Sequence, residues 1–346
     1  MLKDTEIVVC HAIMHSCSRV HKLAAAQKAS GLVSPYIYNC KFAPQHPSWQ
    51  YDMAFKFFEW QKGNVVQDHF MRMAERIDEL IDLWHVHNEP DWLVKLIRSV
   101  SGKPIIWDLH DLKSHKENDT KYLKDEDDSA NMSDRILTVS EGYASICQKR
   151  WPDKEVGVYN SMVPLKWFPD LQKDPTMEGV VYEGGVSSVE GHPRNVWRFW
   201  ENCGVPVAVF PAHNVSGEFQ VASNISIFEC ADVFTLYKSL AQYEAGIFVC
   251  EREEQFMTGV MPNKLFEYLC AGIPIIACNV PDVEDFLVMN PGLGVSVKGP
   301  EEVPAALQKI RDEKMRLNTH EFRKTLTMDE QFLKRVYPVY EELLGM

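Results

Sequence analysis

Lys264 and Glu267 stand three residues apart in Met261 to Ala277 (MPNKLFEYLCAGIPIIA), a spacing that puts a cation and a carboxylate on one face of a helix. Pro262 suits the first helical position, where a missing N–H costs nothing. Gly272 and Pro274 supply the stop around an apolar strand, Ile273 to Ala277. The outward-pointing N–H groups of the opening turn and the positive end of the helix dipole attract an anion, and Lys264 adds a full charge beside them. One turn further on, the two oxygens of Glu267 match two adjacent sugar hydroxyls, as when a ribose is held next to a helix-bound pyrophosphate. The chemistry read from these residue types is capture of a nucleoside diphosphate. An amphipathic helix with a solvated Lys264–Glu267 ion pair has the same pattern, and the residues alone leave both readings open.

Doubly wound sheets bind ligands beyond the carboxyl ends of their strands, which directs attention to three further positions. His110 follows the apolar run Ile105 to Leu109, with Asp111 beside it as a candidate to orient the imidazole; a satisfied structural histidine is the other reading. Gly184 and Gly185 follow a strand-like run from Val180 and let backbone approach a phosphate with no side chain between. His85 and His87 alternate on a strand and are expected on opposite sheet faces, poor geometry for one metal ion, with His85 inside and His87 and Asn88 near a ligand. His11, His15, Ser16 and Arg19 are weaker candidates for an acceptor side. Nine aromatic residues from Tyr36 to Trp60, interspersed with Lys41 and Lys56 and followed by Lys62, make either an acceptor platform or a core or dimer contact. Asp125 to Asp128 reads as a solvated loop with no metal role. Ser140 reads as the cap of a helix that starts at Glu141.

Strands and helices must position these groups, and the apolar pattern supplies them in alternation. Strand-like runs Ile7 to Cys10, Val33 to Tyr38, Leu83 to His87, Pro104 to Leu109 and Ile136 to Val139 alternate with helical stretches Arg19 to Ser30, Gln67 to Asp82, Asp91 to Val100 and Glu141 to Arg150. Such alternation predicts a parallel sheet covered on both faces. A second cycle runs through Val180 to Glu183, helix Asn195 to Asn202, strand Pro206 to Phe210, helix Thr235 to Ala241, strand Ile247 to Cys250 and the Lys264 helix with its strand. Pro164, Pro169 and Pro175 mark a connector, which gives domains at 1–168 and 169–328. A last helix lies within 329–346, with Phe332, Val336, Val339, Leu343 and Leu344 on one broad face.

At 346 residues the chain exceeds one typical core, and two domains are expected. The net charge of −13 is uneven: 22 basic against 25 acidic residues up to 175, then 14 against 24. That balance disfavours unspecific attachment to nucleic acid or an anionic membrane, although a local basic patch still acts at short range. No apolar run approaches the ~20 residues that cross a bilayer. The start, MLKDTEIVVC, lacks the plan of a secretory signal, so a cytoplasmic protein, with peripheral membrane attachment open, is expected. Nine cysteines without a CxxC pair read as reduced thiols rather than metal ligands.

The PNKLFEYLCAG string before an apolar strand does not stand alone. With Trp84 to Pro90 (WHVHNEP), Lys103 to Leu112 (KPIIWDLHDL), Ile136 to Gly142 (ILTVSEG) and Val180 to Val186 (VVYEGGV), it resembles the retaining GT-B glycosyltransferases of family 4, the glycosyl transferases group 1, from end to end. The resemblance implies an α/β GT-B fold: two doubly wound Rossmann-like domains facing an interdomain cleft, acceptor side first and donor side second, with the last helix crossing back. It implies hexosyl transfer from a UDP-sugar or GDP-sugar to an acceptor hydroxyl, with no metal and no cofactor besides the donor. A polysaccharide, a lipid-linked glycan and a modified DNA base all remain open as acceptor. Lys264 and Arg194 would neutralise the diphosphate, Glu267 would fix the ribose and His110 would position the transferred sugar, the last two being the catalytic candidates. Gly184, Gly185, Asn263, Gly259 and Val260 complete the donor site. Arg194, ten residues after Gly184, is expected to open the next helix, with Arg198 as its fallback.

Two departures from the family pattern stand out. The first glutamate of its paired signature falls at Gly259, which leaves the sugar to backbone N–H groups of Thr258 to Val260 or to Glu254. HAIMHSCSR replaces a glycine-rich loop after the first strand. These departures keep two rivals in play: a nucleotide-sugar epimerase or hydrolase of the same fold, and a noncatalytic nucleotide-sugar-binding subunit.

Overall fold

The computed structural model describes residues 6–13, 17–39, 65–88, 90–116, 119–171, 174–190, 192, 194–212, 222–229, 232–251, 259 and 261–346. The chain divides into two compact units, Met1–Pro164 with Met328–Met346, and Leu165–Thr327. The first contains β1 (Ile7–Ile13), α1 (Ser18–Ser30), β2 (Val33–Asn39), α2 (Val65–Asp78), β3 (Leu83–His87), α3 (Leu93–Val100), β4 (Ile105–Leu109), α4 (Lys113–Lys116), α5 (Leu123–Met132), β5 (Arg135–Thr138), α6 (Glu141–Arg150) and β6 (Val156–Val158). Its six strands are all parallel in the order β2-β1-β3-β4-β5-β6. Every residue of β3 and β4 is buried, which explains why these strands read as near-continuous apolar runs: helices cover both faces.

The second unit repeats the plan with β7 (Val180–Gly184), α7 (Trp197–Asn202), β8 (Val207–Pro211), β9 (Ile225–Ile227), α8 (Val233–Leu240), β10 (Ala245–Val249), α9 (Asn263–Cys270), β11 (Ile275–Cys278), α10 (Pro281–Met289), β12 (Gly294–Ser296), α11 (Val303–Asp312) and α12 (Met315–Phe322). The order is β12-β11-β10-β7-β8-β9, again all parallel. The chain is an α/β protein of the GT-B kind. Two buried arginines anchor the carboxyl ends of the helices around β10, where a cation meets the negative end of the dipole. Arg316 donates to the carbonyls of Ala241 and Tyr243 after α8, and Arg323 to Cys270 at the end of α9 (2.6 Å) and to Pro169.

From Met328 the chain belongs to the first unit, as α13 (Met328–Gln331), a π-helical turn and α14 (Tyr337–Leu344). The wide turn Phe332–Val336 rotates the face that follows, so Tyr340, rather than Val339 or Leu343, is the residue fully buried with Phe332 and Val336. Its hydroxyl meets Gln27 Nε2 at 2.8 Å and His85 Nδ1 at 2.7 Å. Residues 125–128 are not a solvated loop but lie inside α5. Glu126 is fully buried there, accepting from Ser114 N (2.8 Å) and Ser114 Oγ (2.6 Å) and pairing with Arg150. Only the spatial neighbours Ser114 and Arg150 distinguish that glutamate from the aspartates beside it. Among the described residues, no helix is long and apolar enough to cross a membrane.

Candidate functional site

In the second unit the strand order reverses between β7 and β10, so the chain leaves these neighbours in opposite directions and opens a crevice beyond their carboxyl ends. β7 ends at Gly184, whose φ of 110° is a conformation that side chains rarely tolerate. Two cations stand over the turn that follows. Lys264 Nζ is 3.1 Å from where a Cβ on Gly184 would lie, and Arg194 Nη1 is 2.8 Å from where one on Gly185 would lie. Among the described residues neither cation is paired with a carboxylate. Arg194 is exposed and precedes α7 instead of opening it, because the turn Ser187 to Asn195 closes first: Ser187 N donates to Arg194 O (3.1 Å), and Arg194 N to His192 Nδ1 (3.0 Å). Arg198 is exposed as the second residue of that helix.

Lys264 reaches the turn from the second residue of α9. Pro262 lies just outside the helix as its N-cap, with extended φ −72° and ψ 147°, not at the first helical position, since its fixed φ suits both states. Asn263 therefore opens the helix, exposed, and the Pro262 side chain supplies no cap. Leu265, Phe266, Tyr268 and Leu269 are buried as the amphipathic pattern requires. Tyr268 fastens α9 to both strands of the reversal: its hydroxyl accepts from Glu183 N at 3.1 Å and donates to Ile247 O at 3.2 Å. Glu267 is only 7% exposed, which removes the solvated ion-pair reading. Tyr237 of α8 donates to its Oε1 at 3.3 Å, and burial first, then Glu267, pushes that phenol well above its ordinary value, so the proton stays on tyrosine.

Gly259 has φ 82°, and its N–H donates to Asp282 Oδ2 at 2.6 Å in the first turn of α10. A glutamate at this position would be strained, which is a physical reason for the glycine. It also engages one of the amides considered for the sugar. Val260, Thr258 and Glu254 lie outside the described residues, as do His15, Ser16 and the aromatics from Phe42 to Trp60.

The first unit reverses its strand order between β1 and β3, and its own side chains fill that place. Arg19 donates to both oxygens of Asp108, with contacts of 3.0 Å to each, and lies over the Tyr159 ring. His87 Nδ1 is 2.8 Å from Asp108 Oδ2, which also accepts from Tyr159. Burial opposes ionisation of Asp108, but Arg19 and then His87 outweigh it and hold the carboxyl well below its ordinary range. His11 joins through His87 (2.9 Å) and Gln27 (2.8 Å). His11, Arg19, His85, His87 and Asp108 are all sealed from solvent, so His11 and Arg19 are structural here instead of lining an acceptor side.

His85 and His87 do not point to opposite faces. Strand side chains alternate with period two, so residues i and i+2 share a face, and the two rings stack at 4.6 Å and 3°. One nitrogen or carboxylate oxygen from each of His11, His85 and His87, or of His87, Asp108 and His110, lies within 4.8 Å of the others. Parallel rings direct their lone pairs along parallel planes, so His85 and His87 do not converge on one ion. The oxygens of Asp108 already accept from Arg19, His87 and Tyr159. His110 is half-buried at the end of β4. Its ring lies 3.4 Å from His87 Nδ1, and its backbone N–H donates to Asn88 Oδ1 at 2.9 Å. Asn88, not evident as a clamp in the sequence, also donates to Asp111 O at 2.6 Å and so fixes the bend that presents His110. Burial pushes the His110 imidazole down to about 4.

No protein-family model matches the sequence, and no curated protein does. Solved structures do match. A glycosyltransferase from Rickettsia africae superposes with a TM-score of 0.67 at 13% identity, covering 98% of this chain and 99% of that one. HepE from Anabaena, crystallised with UDP, gives 0.66 at 10% identity over 99% and 100%. An alpha-glucosyltransferase in complex with UDP and a 13-mer DNA gives 0.62 at 12% identity, again over 99% and 100%. At such identities the likeness is one of fold.

Proposed function

We propose that this protein is a retaining glycosyltransferase of the family 4 type, moving a hexose from a nucleoside diphosphate sugar to an acceptor hydroxyl. One observation carries the reading: Lys264 and Arg194, unpaired with carboxylates among the described residues, stand over the Gly184–Gly185 turn where the strand order reverses, beside the start of α9. Breaking the bond from the anomeric carbon to the diphosphate builds negative charge on the leaving oxygens. Cations fixed beforehand stabilise that charge more in the transition state than in the ground state. Glu267, at the second turn of the same helix, would accept from the ribose hydroxyls through its carboxylate. His110 is neutral near pH 7 and would hydrogen-bond a sugar hydroxyl without adding charge. In this reading no side chain is the nucleophile; the leaving phosphate takes the acceptor's proton on the same face.

Calorimetry with UDP and GDP tests the site. Lys264→Ala is expected to weaken the better ligand by about 100-fold, the scale of a lost charge-assisted phosphate contact, with the melting temperature nearly unchanged. Unchanged affinity would remove Lys264 from the site. Since Lys264 and Arg194 supply the positive charge, turnover is expected to persist in a chelator. A second reading, epimerase or hydrolase, is favoured by the glycine at position 259. Free or isomerised sugar formed without acceptor would establish it in place of transfer.

A further inference from the structure

We infer that Tyr182, a residue of β7 with no charge of its own, aims Lys264 without bringing a negative charge to it; this rests on the donor-site reading above. The phenol is 1% exposed, its ring packed on Trp200 at 4.8 Å, so its position is set by the core. Gly185 O, 2.7 Å from the Tyr182 hydroxyl, is an acceptor only, so the single phenolic proton goes there. The oxygen's lone pairs are then free to accept from Lys264 Nζ, 3.0 Å away. The ammonium also lies 4.2 Å from the centre of the Tyr182 ring and 4.6 Å from that of Phe248 on β10.

A lysine is commonly held in place by a carboxylate, which would cancel the attraction for a phosphate. Among the described residues, two aromatic faces and one neutral oxygen do the holding. Ring quadrupoles attract the cation without bringing a full negative charge. Tyr182 also ties the lysine to the glycine turn, because the same hydroxyl bonds Gly185 O and Lys264 Nζ. A lysine free to swing would lose side-chain entropy on each binding event; one already fixed loses less. Tyr182 is thus a positioning residue, acting on the ligand through Lys264.

The test is a double-variant cycle with UDP as the probe, read by calorimetry and by donor kinetics. Tyr182→Phe keeps the ring and removes the oxygen. It is expected to weaken UDP binding by roughly 3- to 10-fold and to lower kcat/KM for the donor by at least that factor, with kcat falling as well because Lys264 acts on the leaving diphosphate. In a Lys264→Ala background the same change is expected to have no further effect, because its target is gone. Phe248→Leu, which leaves the hydroxyl in place, is expected to weaken UDP by roughly two-fold. Affinity for Tyr182→Phe within experimental error of wild type, or full additivity of the two losses in the double variant, overturns the assignment while leaving the donor site standing. If Lys264→Ala itself binds UDP like wild type, the donor reading falls and takes this inference with it.

Discussion

Both units are all-parallel six-stranded sheets whose strand order reverses once, at different points in the two orders, and they treat that reversal in opposite ways. Between β1 and β3 the place is packed with His11, His85, His87, Asp108 and Arg19, a sealed polar network in which each charge has its partner. Between β7 and β10 the corresponding place has a turn of two glycines and two cations without carboxylate partners among the described residues. Buried charges that satisfy one another have little left to offer a ligand. Charges over bare backbone keep their field available. The lesson is that topology locates a crevice, and the side chains set at it decide whether charge is left for a ligand.

The sharpest way to break the contrast is to remove Asp108. Asp108→Ala leaves Arg19 buried without its counter-charge and is expected to cost about 3–5 kcal/mol in denaturant unfolding, the scale for breaking a buried pair. A loss below about 1 kcal/mol would mean that the network is not structural. Acid gives the next effect. Burial pushes His110 and His21 down to about 4 and His11 to about 3, with His85 and His87 shifted in the same direction. The unfolded chain takes these protons near 6.5 and the folded one does not. Their contribution is therefore complete above pH 6.5 and is lost as pH falls from there toward 4. Hydrogen exchange is expected to show β3 and β4 losing protection across that window before β10 and β11; simultaneous loss would sink the idea.

The smallest effect sharpens the other side. Gly185 is not one of the left-handed glycines, and the nearest atoms that an added Cβ would meet belong to the flexible end of Arg194. Gly185→Ala is expected to leave stability within about 0.5 kcal/mol while weakening UDP by roughly five-fold, through displacement of that guanidinium. A melting temperature that falls together with affinity would show the turn to be a packing feature.

Much of the fold was legible because buried parallel strands carry a strong apolar signal, as in Ile105 to Leu109 and Ile275 to Cys278. The short strands β6, β9 and β12, three residues each, fell below it. For the site, local chemistry named Lys264, Glu267, Gly184 and Gly185, but nothing local marks Tyr182, or marks Asn88 as the clamp of His110 rather than a neighbour of a ligand. Their importance comes from what lies across the sheet: a lysine 82 positions away and a histidine 22 positions away.

What the sequence determined by itself was the kind of element at each stretch and the residue types able to meet a phosphate, because periodicity and helix ends are local physics. Tertiary structure alone decided which polar groups would neutralise each other and which would stay available. That outcome depends on distances between strands far apart in the chain, and electrostatic energy is set by those distances, not by spacing along the backbone.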